Sequence, residues 1–167
     1  MRNLFKTYAA SGIMVALCLT MFLGCNNETD YKVIRQEVVD LHNKVMEDGE
    51  IASKNRLMLD TLSRIGLKAF KDTQPGIDTI TEQKNIAILI GKLDQVDQDM
   101  MKWMQEFEPD VEGKGNAEAV KYFEGERIKI KKLDSQYKQI LNESDVYLKK
   151  FNLIPSSHSM EHDHGKH

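Results

Sequence analysis

The stretch from Thr79 to Pro109, TITEQKNIAILIGKLDQVDQDMMKWMQEFEP, decides the fold. It opens with Thr79-x-x-Glu82, the spacing of a capping box, in which a threonine and a later glutamate satisfy each other's free backbone amides. Ile86, Ile90, Leu93, Met100, Met104 and Phe107 then recur at helical spacing until Pro109, a residue excluded from helix interiors. The pattern predicts one long amphipathic helix.

The flanking sequence repeats the pattern twice. Upstream, from about Asp30 to Phe70, Ile34, Val38, Leu41, Val45, Ala52, Leu59 and Leu62 form a stripe spaced by threes, fours and sevens. Downstream of Asn116, a good N-cap residue, Val120, Phe123, Ile130, Tyr137, Leu141, Leu148 and Phe151 form another. Polar stretches around Pro75, Pro109 and Pro155 separate the segments, and none of them alternates with a period of two. The prediction is all-α: an antiparallel three-helix bundle with long helices, running up-down-up because short connections favour antiparallel neighbours. Gly49 and Gly66 each weaken a helix by about 1 kcal/mol relative to alanine. A break at either would make four helices.

The N-terminus reads as an export signal. Arg2 and Lys6 precede the uncharged run from Ile13 to Leu23, which stops at Gly24-Cys25 and the polar Asn26-Asn27-Glu28-Thr29-Asp30. A membrane-spanning helix needs about 20 apolar residues, more than this run supplies. The end, Phe22-Leu23-Gly24-Cys25, resembles the lipobox of bacterial lipoproteins, with Phe22 standing where leucine is usual. The resemblance implies cleavage before Cys25 and lipid on that residue, diacylglycerol on its thiol with palmitate among the acyl chains. The alternative is an ordinary cleaved signal that leaves a free thiol. The expected division is residues 1–24 as lipoprotein signal peptide, 25–30 as lipidated cysteine and tether, 31–154 as the bundle and 155–167 as a disordered histidine-rich tail.

Cys18 would leave with the signal, so disulfides and cysteine-based metal sites are excluded from the mature chain. Loss of Arg2 and Lys6 takes the 23 basic residues to 21 against 26 acidic ones, a net charge of −5. That balance disfavours nucleic acid and anionic membrane surfaces as partners. Lipid would hold the protein at the bilayer.

Two groups of side chains have metal-ligating chemistry. The tail gathers His158, Met160, His162, His164 and His167, a composition that suits Zn(II), Cu(II) or Ni(II) without fixing a geometry. The second group depends on the hairpin. If it turns around Pro75, residues whose numbers add to about 150 lie at one level, so His42 faces the region of Glu108 and Met46 faces Met104. His42 and Met46 share a helix face, as do Met100 and Met104, with Trp103 beside them. Thioethers and imidazole suit Cu(I), and an indole face attracts cations. Core filling by methionine is the competing explanation. A haem held by His42 and a methionine has the same ligand logic but lacks an attachment motif. The two groups are expected to act separately, because helices of about 30 residues would put them roughly 45 Å apart.

Enzyme signatures are missing: the chain has no nucleophile elbow, glycine-rich phosphate loop or His-Glu-x-x-His motif. Asp94, Asp97 and Asp99 lie in a charge-rich helix, where a solvated face is the ordinary explanation.

The stretches Val39-Asp40-Leu41-His42-Asn43-Lys44-Val45-Met46 and Asp99-Met100-Met101-Lys102-Trp103-Met104 resemble paired segments of small Bacteroidetes lipoproteins commonly labelled "viral A-type inclusion protein". The resemblance covers the signal and the first hairpin. It implies coiled-coil-like helices and an outer-membrane location, periplasmic or surface, and carries no activity. The expected function is a lipid-anchored, non-catalytic bundle of the cell envelope, acting as an interaction or structural module through an envelope partner or self-association. The alternative is an envelope lipoprotein that handles copper or zinc.

Overall fold

A computed structural model describes residues 29–153 of the protein. Helix α1 runs Tyr31–Thr61, a π-helical turn follows at Leu62–Gly66, and helix α2 covers Leu67–Thr73. Helices α3 (Thr79–Glu106) and α4 (Asn116–Lys150) complete the chain order. The backbone stays helical at Leu62, Gly66 and Leu67, so α1, the π turn and α2 form one arm. The result is the expected all-α bundle of three arms. The signal residues, Cys25 and the tail from Pro155 onward lie outside the described residues.

Contacts fix the directions. Tyr31 meets Asn116, Glu37 meets Arg127 and Asn55 meets Asp145, all pairs 85 to 90 residues apart, so α1 and α4 are parallel. Helix α3 runs against both: Arg56 of α1 pairs with Asp94, and Lys92 with Glu143 of α4. Hence the starts of α1 and α4 share one end with the α3–α4 loop. We call this the tether end, after the lipid anchor expected from the sequence upstream of Tyr31, and the other the distal end.

The core follows the apolar stripes. Val38, Val45, Leu59, Ile86, Leu93, Ile130, Tyr137 and Leu148 are buried in one cluster along the bundle. A smaller cluster of Ile34, Val111, Ala119 and Phe123 closes the tether end, where Tyr31 stacks on Phe123 at 6.0 Å. On α3 the buried face is Ile86, Leu89, Leu93, Val96, Met100 and Trp103, rotated from the expected stripe. Ile90 is half-buried and Met104 exposed.

Three local expectations need correction. Asp78, not Thr79, caps α3, accepting from the amides of Ile80 and Thr81. Glu82 instead turns inward to Tyr147 and Lys150. Asn116 begins α4 behind Gly115, and its side chain serves the other helix. Its Oδ1 accepts from the Tyr31 amide at 3.1 Å and its Nδ2 donates to the Thr29 carbonyl at 3.1 Å. Neither glycine breaks the first arm. Gly49 lies within α1, where an added Cβ would sit 3.6 Å from the Tyr137 hydroxyl.

Gly66 ends the π turn, where the Leu67 amide donates to the Leu62 carbonyl. The wider turn brings residues five apart onto one face, so Leu62 and Leu67 are both buried. A Cβ on Gly66 would stand 2.9 Å from Cδ1 of Leu62.

Buried polar groups lock the seam between the parallel helices. Fully buried Asn55 donates to Ser144 Oγ at 2.9 Å and to Asp145 Oδ1 at 2.7 Å. Sliding either helix would break both of these buried bonds, which favours this register.

Candidate functional site at the tether end

Trp103 organises the tether end. Its place three residues after Met100 and seven after Val96 puts it on the buried face of α3, so the indole N–H needs a partner inside the bundle. Glu126 of α4, itself buried, supplies one: Trp103 Nε1 donates to Glu126 Oε2 at 2.8 Å. Lys129 Nζ donates to the other carboxylate oxygen at 2.8 Å, and that bond raises the lysine's pKa above its ordinary value. Phe107 stacks on the indole with centroids 4.8 Å apart. The ring is therefore held at its edge and on a face.

The α3–α4 loop is tied down beside it. The Glu108 amide donates to the Tyr122 hydroxyl at 2.7 Å, and Lys114 lies 5.5 Å from the centre of the Tyr122 ring. Burial pushes the Tyr122 hydroxyl's pKa up. Phe107 and Pro109 are thus fixed as walls of a cavity of about 270 Å³, together with Val39, His42, Trp103 and Met104.

His42 lies across this cavity from α1, its ring 5.7 Å from the indole and tilted by 32°. It is half-buried, and its Nδ1 is 3.3 Å from Asn43 Oδ1. It meets Trp103, about a turn short of the expected Glu108 level. The methionines divide. Met100 is core at 2% exposure, whereas Met104 is 39% exposed and lines the cavity. Met46, one turn along α1 from His42, is 42% exposed and is not part of that lining. Of the expected soft-ligand group, His42, Trp103 and Met104 come together.

Among the described residues no group of three or more histidine, cysteine or acidic side chains is arranged to hold a metal. Cys25 and the tail ligands His158, Met160, His162, His164 and His167 lie outside those residues.

A second cavity, of about 350 Å³, opens at the distal end beside the π turn. Leu57, Met58, Leu62, Ile65, Phe70 and Leu153 give it an apolar lining, with Leu57 and Ile65 about two-thirds exposed. Sequence reasoning missed it. The available signal was that Leu57 and Ile65, eight residues apart, both fall off their own helix's buried stripe.

Among the described residues no helix is long and apolar enough to cross a membrane. Comparison with protein-family models, curated proteins and solved structures found no match for this chain.

Proposed function

We propose that the protein is a lipid-anchored, non-catalytic helical bundle of the cell envelope that serves as an interaction module. The distal apolar groove carries this reading. It presents Leu57 and Ile65 to solvent on a folded arm, away from the end where the chain would leave its anchor. Exposed apolar surface of this kind is characteristic of sites that bind other proteins. Gly24-Cys25 supports a lipid tether at the outer membrane, and Asn116 would hold the start of the bundle close to it by its bonds to Thr29 and Tyr31.

Two measurements in cells test this. Cys25→Ala should abolish palmitate labelling and release the protein from the membrane fraction; unchanged labelling overturns the anchor. A photo-cross-linking residue at position 65 should give a discrete adduct, with an envelope protein or a second copy, while one at exposed Lys132 should give none. Equal patterns at the two positions would overturn the docking role of the groove.

A further inference from the structure

We propose that the tether-end cavity binds one soft monovalent cation, Cu(I) or Ag(I), between the imidazole of His42 and the thioether of Met104, under the indole face of Trp103. This goes beyond the interaction reading and does not depend on it. The decisive observation is the exposure of Met104. Methionine at helical spacing ordinarily fills a core, and Met100 does so here, but Met104 lies outside the core on a cavity wall that it shares with an imidazole.

The surroundings favour a soft cation over a hard one. No carboxylate is among the cavity-lining residues, and thioether with imidazole is a ligand set for Cu(I) rather than for Ca(II), Mg(II) or structural Zn(II). With Nδ1 of His42 protonated and donating to the Asn43 amide oxygen, Nε2 keeps its lone pair for a metal. The two ring centres are 5.7 Å apart, so a cation on the imidazole can come within the roughly 6 Å over which an indole face attracts it. That face needs little ordering on binding, since Glu126 and Phe107 already fix the ring.

Trp103 is the single tryptophan of the chain, so its emission reports on this site alone. The test uses the chain from residue 25 onward with Cys25→Ala, His158→Ala, Met160→Leu, His162→Ala, His164→Ala and His167→Ala, which removes the competing ligands and keeps the whole bundle. Ag(I) should quench the emission saturably at one equivalent. His42→Phe and Met104→Leu, both at partly exposed positions, should each weaken binding by about tenfold or more. Met101→Leu should change nothing, and Zn(II) should not quench. Circular dichroism checks that each variant is folded. Absence of saturable quenching, wild-type affinity in both site variants, or equal binding of Zn(II) would overturn the proposal.

Discussion

The two ends of the bundle each bury a glutamate between an aromatic donor and a lysine, but they use the arrangement differently. At the tether end Glu126 and Lys129 belong to the same helix, and only the indole of Trp103 crosses from α3. At the distal end Glu82 belongs to α3, while Tyr147 and Lys150 both cross from α4. The first arrangement positions an aromatic ring. The second clasps two helices and takes the place of the capping contact that Glu82 would otherwise make. Burial pushes the Tyr147 hydroxyl's pKa up, and its bond to the Glu82 carboxylate adds to the shift.

The largest break should come at Trp103. Trp103→Ala empties a large site in the core, removes the stacking on Phe107 and leaves the Glu126 carboxylate without its indole partner. Loss of a buried aromatic side chain costs about 3–5 kcal/mol, which urea unfolding followed by circular dichroism would measure. A cost below about 1 kcal/mol would mean that the ring is not an anchor.

The distal clasp should respond to pH. Burial alone would raise the pKa of Glu82, but Lys150 and Tyr147 together hold it below its ordinary value of 4.5. A carboxylate depressed in the fold contributes stability above its unfolded pKa and loses it as pH falls through the folded value. Glu82→Gln keeps an acceptor for Tyr147 but removes the charge facing Lys150. It should cost about 1–2 kcal/mol at pH 7, with the difference from wild type closing below pH 4.5. A difference that persists unchanged to low pH would show that the clasp does not depend on ionisation.

Asn116 ties the start of α1 to α4 independently of Trp103. Asn116→Ala leaves the Trp103 contacts alone but frees the Tyr31 amide and the Thr29 carbonyl. The expected cost is about 1 kcal/mol, the usual worth of a helix-capping side chain, with faster hydrogen exchange at Tyr31. Unchanged exchange there would place the clamp elsewhere.

How much of this was legible in the sequence depends on whether a residue's role is local. The stripes on α1 and α4 matched their buried faces because helical spacing alone fixes which side is apolar. The α3 stripe was rotated because Trp103 and Met104 are adjacent candidates for one position. Choosing Trp103 requires the partner Glu126, 23 residues away on another helix. The Thr79-x-x-Glu82 pattern failed for the same reason. Asp78 was a stronger cap one residue earlier, and Glu82 is four residues before Ile86, on the face that Tyr147 and Lys150 approach. Asn55 reads as a gap in an apolar stripe until Ser144 and Asp145 are placed beside it. The hairpin level brought His42 toward the end of α3 that holds Trp103 and Met104, but the cavity between them, and the exposure that distinguishes Met104 from Met100, are tertiary facts.

The smallest effect should come from the distal groove, and it separates a surface made for contact from one made for stability. Leu57 and Ile65 are about two-thirds exposed, so each contributes little burial in the isolated chain. Leu57→Asp and Ile65→Asp together should shift unfolding by no more than about 0.5 kcal/mol, the ordinary range for surface substitutions. Leu62, two percent exposed in the floor of the same groove, behaves oppositely: Leu62→Ala should cost about 2–5 kcal/mol. If the two aspartates prove as costly as the loss of Leu62, the rim is part of the fold, and its apolar character needs no partner to explain it. If they leave the bundle unchanged while the adduct at position 65 is lost when Leu57→Asp is added to that chain, the rim exists for what binds it.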